Sequence, residues 1–336
     1  MAGSSLSFNL SNLRCNLAVL FCFICSCGVV MFSEADANYL TLDYYAKTCP
    51  KASEIIHSQM ESAVSSDPRV GPRLLRMHFH DCFVQGCDGS VLLDDTETFK
   101  GEKTAGPNIN SLHGFDVVDK IKSHLESECP GVVSCADLLA LAAKDAVILA
   151  GGPYWDVPLG RKDSRSASLE KANTDIPLPN QGLITLISKF LAKGLSTTDM
   201  VALSGSHTIG VARCTSFRDR IYGDYQYTSK DGGELLRLKK MCPEKKNDEN
   251  TTNLDHTTPT LFDNAYYGNL VKGEGLLNSD QELYSSIIGF QTVKLVKKYA
   301  EDSLIFFKHY SDSMVRMGNI TNPHGGEVRN NCRVMN

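Results

Sequence analysis

Once residues 1–37 are set aside, eight cysteines remain in the chain, and an even set of that size narrows the possible folds more than any other feature: Cys49, Cys82, Cys87, Cys129, Cys135, Cys214, Cys242 and Cys332. Residues 1–37 have a polar start with only Arg14 charged, an apolar run from Leu17 to Phe32, and Ala35-Asp36-Ala37, a small-x-small cleavage pattern. A bilayer span needs about 20 apolar residues. This run is shorter and is followed by Glu34 and Asp36, so it reads as a signal peptide, with 38–336 as the mature domain. The leader takes Cys15, Cys22, Cys25 and Cys27 out of the count of 12. Because the secretory route is oxidising, the remaining eight predict four disulfides, with their pairing open. Zinc is the rival use of clustered cysteines, but no CxxC pair and no repeated spacing occurs among them.

Helical periodicity dominates the mature chain. Apolar residues recur three and four apart over 52–64, 73–83, 114–125, 135–149, 183–192, 198–203, 262–271 and 290–317, while alternating strand patterns are scarce. Pro50 opens the first segment, Asp67-Pro68 closes it, Gly151-Gly152-Pro153 ends the fourth and Ser196-Thr197 caps the sixth. Two stretches resist helix: Trp155 to Asn180, which Pro158, Pro177 and Pro179 keep irregular and at the surface, and the charged run from Lys239 to Thr252. The expected architecture is all-α, without internal repeats. A formal charge of −5 argues against nucleic acid or an anionic membrane as partner, because both are held by an excess of Lys and Arg. Small uncharged substrates suit it better.

The segment from Arg73 to Cys82 carries the most chemistry. On a helix Arg76 and His80 lie four apart and share a face, with Phe79 beside them, whereas His78 points to the far side. A fixed cation one turn from a neutral imidazole suits a peroxide. His80 can take a proton from one peroxide oxygen and return it to the other as the O–O bond breaks, while Arg76 stabilises the charge on the departing oxygen. The next stretch, Asp81 to Ser90, offers hard oxygen ligands from Asp81, Asp88 and Ser90, and a Cys82–Cys87 bridge would hold it shut as a calcium loop. It is not an EF-hand, since Leu92 stands where the bidentate Glu belongs.

A second histidine, His207, follows the small-residue stretch Leu203-Ser204-Gly205-Ser206 with no acid or second His at a zinc spacing. A single protein ligand suits a haem iron, which keeps the opposite position open. Downstream, Asp255, Thr258 and Asp263 form another oxygen-rich set that Thr208 could join as a second calcium site. Asp280 is a candidate acceptor for the other ring N–H of His207, a bond that strengthens electron donation by the imidazole.

Together and in order, these motifs resemble the secretory plant haem peroxidases of the horseradish peroxidase type, from about Leu42 to Cys332. The resemblance implies a two-lobed haem peroxidase fold with haem b, one iron, between the lobes, and two calcium ions. It implies His80 as distal acid/base, Arg76 as transition-state stabiliser and His207 as axial ligand, with Phe79 and Asp280 at the cofactor. Asn108 falls where the family holds the distal His in its reactive tautomer, and Glu102 where that network continues. The distal calcium would be held by Asp81, Val84, Gly86, Asp88 and Ser90, with Val84 and Gly86 acting through their carbonyls. The proximal one would use Thr208, Asp255, Thr258, Leu261 through its carbonyl, and Asp263. The four bridges would be Cys49–Cys129, Cys82–Cys87, Cys135–Cys332 and Cys214–Cys242, and Pro177 would line the substrate opening. Departures from horseradish peroxidase fall at pocket positions: Gly106, Ser216 followed by Phe217, and Ile209 replace aromatics, so donor preference does not carry over.

The activity so implied is reduction of hydrogen peroxide with one-electron oxidation of small phenolic donors through a ferryl and radical state, in cell-wall phenolic metabolism and oxidative stress. The expected protein is a secreted monomeric glycoprotein with sequons at Asn250 and Asn319 and no stable membrane association. Four residues follow Cys332, which favours the cell wall or extracellular space over the vacuole. The alternative is an inactive calcium-binding extracellular glycoprotein of the same fold, which predicts loss of Arg76, His80, Asn108 or His207. A zinc hydrolase using His78 and His80 is disfavoured because the two diverge on a helix.

Overall fold

Helices form where the apolar spacing places them, and short polar side chains set their ends. The structure, a computed structural model, describes residues 40–223, 233–322, 324 and 326–336. The leader of residues 1–37 lies outside the described residues. Helices α1 (Ala52–Ser66) and α2 (Val70–Phe83) are separated at Asp67-Pro68, where the Asp67 carboxylate accepts from the Arg69 backbone N–H and guanidinium. They pack with α3 (Phe115–Glu128) around α4 (Cys135–Leu149). Because α4 is buried on nearly every side, it forms the centre of this group, and Ser134 caps it by accepting from the Asp137 N–H.

A second group gathers α6 (Leu183–Ala192), α7 (Thr197–Ser204), α10 (Ala265–Lys272), α11 (Asn278–Ser285), α12 (Phe290–Glu301) and α13 (Ser303–Gly318). A capping box between Ser196 and Asp199 starts α7. One apolar cluster runs through both groups, and each fully buried Leu, Val or Phe in it contributes about 1.5–3 kcal/mol. A smaller cluster of Phe217, Ile221, Leu238, Leu276 and Leu277 lies under α8 (Arg218–Tyr222) and α9 (Gly233–Met241). Beside it β1 (Val211–Arg213) and β2 (Thr251–Asn253) pair antiparallel, Val211 opposite Asn253. Among the described residues no helix is long and apolar enough to cross a membrane.

Several expectations need correction. Residues 155–180 are neither wholly irregular nor confined to the surface. Their prolines leave 169–175 free to form α5 (Leu169–Asp175), capped by Ser168, and Arg161 and Asp163 are buried. The Asp163 carboxylate accepts from Cys135, Ala136 and Arg329 N–H groups, which ties this loop to the start of α4 and to the C-terminal segment. The charged run from 239 begins inside α9 and ends in β2. The long pattern 290–317 breaks at Asp302, whose backbone is extended and whose carboxylate caps α13 at Leu304 and Ile305. The segment read as helical from Phe262 begins only at Ala265, because Asp263 turns its carboxylate onto the Ala265 N–H.

Disulfides join Cys49 to Cys129, Cys82 to Cys87, Cys135 to Cys332 and Cys214 to Cys242. The first fastens the start of α1 to the end of α3, and the third binds the C-terminal segment to α4.

Candidate active site

The C-terminal half of α2 places Arg76, Phe79 and His80 on one side and His78 on the other. His80 is 3% exposed, and its Nδ1 lies 2.6 Å from Asn108 Oδ1. Asn108 Nδ2 donates to the Glu102 backbone carbonyl at 2.8 Å, which fixes the orientation of the amide. Asn108 Oδ1 therefore accepts from His80 Nδ1–H, and the lone pair sits on Nε2. Burial and the charge of Arg76 hold the His80 pKa well below the ordinary 6.5, opposed by the Asn108 bond, so the ring is a neutral base.

The Arg76 guanidinium donates to Pro107 O at 2.9 Å and to Ser111 O at 3.0 Å, and among the described residues no carboxylate touches it. Burial lowers its pKa to about 10, which leaves it protonated at neutral pH. An uncompensated cation one turn from a neutral base can stabilise an oxygen anion whose proton that base handles.

His78 faces away, as its place on the helix requires. Both its ring nitrogens lie 3.6–3.7 Å from Cys82 Sγ, and burial with the charge of Arg161 pushes its pKa down to about 3. His78, Cys82 and Cys87 bring donor atoms close together, but the two sulfurs are bonded to each other, and His80 is engaged elsewhere, so His78 and His80 do not form a ligand pair.

Immediately after α2, Gln85 and Gly86 adopt positive φ and turn the chain so that Asp81, Val84, Gly86, Asp88 and Ser90 are gathered in the interior. Asp81 Oδ2 accepts from Gly89 N–H and Asp88 Oδ1 from Ser90 N–H. Burial, then the charge of Asp88, pushes the Asp81 pKa well above its usual range, and burial also raises that of Asp88. Ser90 Oγ is buried without a hydrogen-bond partner. Two crowded carboxylates beside an orphaned hydroxyl fit a hard divalent cation. Glu102 connects this loop to the histidine: its backbone carbonyl holds Asn108, Oε1 accepts from Ser168 N–H, and burial raises its pKa to about 8.

His207 lies just past α7 in a short turn, Gly205–Thr208. Gly210, at φ +99°, brings the following chain against Pro72 of α2, where a Cβ would come within 3.0 Å. His207 Nδ1 lies 2.7 Å from Asp280 Oδ1, and the same oxygen accepts from Tyr266 OH at 2.9 Å. With Nδ1 committed to a carboxylate, Nε2 is the nitrogen presented to a metal, a donor arrangement that fits a haem iron. Asp280 is on α11, and Pro179 O accepts from Ser279 N–H, so the segment carrying half-buried Pro177 is fastened to that helix.

Thr208 Oγ1 lies 3.2 Å from Asp255 Oδ2, 3.3 Å from Asp263 Oδ1 and 3.4 Å from Leu261 O. Thr258 Oγ1 lies 3.0 Å from Asp263 Oδ1 and 3.4 Å from Asp255 Oδ2. One proton on each hydroxyl cannot serve so many acceptors, so this shell also fits a hard cation.

Sequence reasoning missed Ser111, Tyr266 and the neutral His113 set between Arg73 and Arg213. Arg73 is three residues before Arg76 on the same helix face, a signal that was present. Burial, then Arg73, Arg76 and Arg213, depresses the His113 pKa, which places these charges together. Phe217 is 1% exposed within the smaller apolar cluster, and Gly106 donates its N–H to Asn173 Oδ1.

The family described as peroxidase matches residues 56–302. Peroxidase 11 of Arabidopsis thaliana is 58% identical over 306 residues, covering 88% of this chain and 91% of that protein. Peroxidase 49 of the same plant is 49% identical over 95% of this chain and 97% of its own length. Peroxidase 4 of Vitis vinifera is 51% identical over 92% and 95%.

Proposed function

The chain belongs to the peroxidase family and is a peroxidase, and we propose that His80 and Arg76 act on hydrogen peroxide while His207 holds haem through Nε2. One observation carries this reading: each of the two imidazoles has Nδ1 committed, His80 to Asn108 and His207 to Asp280, so both present Nε2 to chemistry. Haem, when bound, supplies the two electrons that peroxide takes and recovers them from phenolic donors one at a time. The protein handles the protons. His80 Nε2 takes a proton from one peroxide oxygen and delivers it to the other, which leaves as water, while Arg76 stabilises the charge on that oxygen as the bond breaks. Asp280 keeps His207 electron-rich, and the segment around Pro177 borders the donor entrance. Hard-oxygen chemistry supports calcium at both shells, which brace the two histidines from the Asp81 loop and from Thr208.

A secreted protein in the cell wall or extracellular space agrees with four disulfides and with exposed Asn250 and Asn319 as glycan acceptors. Arg76, His80, Asn108 and His207 are all present, which removes the ground for an inactive member. The test is haemin titration of the purified mature chain followed by stopped-flow mixing with peroxide. A Soret band should form in wild type, and His80→Leu should slow the peroxide reaction by about 10²–10⁴-fold. Wild-type speed in that variant overturns the assignment.

A further inference from the structure

The segment that follows α13 lies against the Asp81 loop and touches two of the residues proposed as its oxygen shell, Gly86 and Asp88. Gly86, at φ +103°, packs so closely under residues 320–322 that a Cβ there would come within 2.7 Å of the Thr321 backbone and 2.9 Å of Asn322 N. Cys87 N–H donates to the Ile320 carbonyl at 2.7 Å, which fastens this segment over the loop. One residue past Thr321, the Asn322 side chain reaches the buried carboxylate, and its Nδ2 donates to Asp88 Oδ2 at 2.6 Å. We propose that Asn322 is the latch of this loop, a positioning residue that holds the Asp88 carboxylate in place and thereby sets how fast calcium leaves.

Such a role rests on the proposed calcium reading of the loop. The orientation of the amide follows from its surroundings: Asn322 Oδ1 accepts from the His324 N–H at 2.9 Å, so the NH2 group is the end that faces Asp88. Asp88 Oδ1 already accepts from the Ser90 N–H at 3.0 Å, so both oxygens are held and the carboxylate cannot rotate until one of these bonds opens. An amide donor leaves each oxygen a further lone pair for a hard cation, and it brings no charge of its own. Ser164 N–H holds the Asp88 backbone carbonyl at 2.8 Å, so rotation of the side chain is the freedom that Asn322 controls.

A second arm from the C-terminal segment reaches the same loop, and it is fixed. Arg329 Nη2 donates to Gly89 O at 2.6 Å and Nη1 to Cys332 O at 2.8 Å, on a fully buried side chain anchored beside the Cys135–Cys332 bridge. Asn322, by contrast, is half-buried, so water can take its place at Asp88. An ion in the shell therefore leaves on the Asn322 side, where the covering segment meets solvent, and not past Arg329. Removing an outer partner of a ligating carboxylate costs about 10–100-fold in metal affinity.

The test uses the purified mature protein loaded with haem and calcium, in wild type, Asn322→Ala, Asp88→Asn and Thr258→Val. Each is freed of unbound ion and mixed by stopped flow with an excess of the fluorescent chelator Quin-2, and the release phases are followed. Asp88→Asn marks the phase that belongs to the Asp81 loop, and Thr258→Val marks that of the Thr208 shell. Asn322→Ala should speed the first by about 10–100-fold and leave the second within about twofold. In excess chelator its melting temperature should lie within about 4 °C of wild type, the size of one lost hydrogen bond. An unchanged first phase overturns the latch. Equal acceleration of both phases with a larger melting loss in chelator overturns it too, because that is general loosening of the fold. If Asp88→Asn alters no release phase seen in wild type, the calcium reading of the loop itself has failed, a result distinct from the other two.

Discussion

Asn108 Oδ1 accepts from His80 Nδ1 at 2.6 Å while the same amide donates to the Glu102 carbonyl, and this pair of bonds decides which nitrogen of His80 is basic. Asn108→Ala frees both tautomers. The peroxide rate constant should then fall by roughly tenfold to a hundredfold, less than on loss of the imidazole itself. The direction with pH comes from the lowered His80 pKa. Because only the neutral ring acts as base, the wild-type rate should stay flat as pH falls past the ordinary 6.5 and decline only in more acid solution. The Asn108 bond favours the protonated ring, so its removal moves the acid limb lower still while the plateau drops. Stopped-flow profiles of the two proteins check this, and an acid limb at the ordinary imidazole pKa in wild type contradicts it.

Asp280 joins His207 to Tyr266 through one carboxylate oxygen and also caps α11 by accepting from the Leu277 N–H. Asp280→Asn keeps the size but removes the negative charge behind the imidazole, and with its single oxygen turned to His207 and Tyr266 it gives up the Leu277 cap. Activity should drop by about 10–100-fold, and the iron reduction potential should rise. Melting temperature should fall only modestly, by the loss of that one cap bond. Potentiometry separates this from a folding defect, and an unchanged potential rules out electronic control by Asp280.

The Asp81 loop gives calcium removal a definite pH dependence. Without a cation, burial and the charge of Asp88 raise the pKa of Asp81, burial raises that of Asp88, and burial raises Glu102 to about 8. Groups with raised folded-state pKa values take up protons on folding, so the metal-free protein should lose stability as pH rises from the ordinary carboxylate range toward 8. Calcium replaces those protons and binds more tightly as pH rises. The gap in melting temperature between calcium and chelator should therefore widen from acid to neutral pH. A gap that narrows over that range contradicts a carboxylate-held ion.

Much of this arrangement could be read from spacing, for reasons particular to each residue. Arg76 and His80 share a helix face because they are four apart, and His78 is excluded from it for the same reason. Asp302 breaks a pattern that looks continuous because an extended cap with a well-placed carboxylate leaves the apolar spacing on either side undisturbed. Helix α11 is too polar to announce itself, yet it carries Asp280 to His207. Tyr266 meets Asp280 and His207 only through tertiary packing, and no local pattern marks it. Asp163 was hidden because a proline-rich sequence reads as surface, whereas its backbone partners come from α4 and the C-terminal segment.

Two of the bridges should differ in kind when removed. Cys135–Cys332 spans 197 positions and Cys82–Cys87 spans 5. Loop entropy alone makes the long bridge worth about 5 kcal/mol and the short one about 2 kcal/mol. Against a total stability of about 5–15 kcal/mol, the pair Cys135→Ala and Cys332→Ala should collapse the folded population in saturating calcium and in chelator alike. The pair Cys82→Ala and Cys87→Ala acts elsewhere, because Val84 and Gly86, proposed to hold the ion through their carbonyls, lie inside the loop that this bridge closes. Its main effect should be weaker calcium binding, so that wild type and variant differ strongly in calcium and converge in chelator. Urea denaturation under both conditions measures this. Equal losses with and without calcium for the short bridge would mean that it holds the chain together without shaping the ion site.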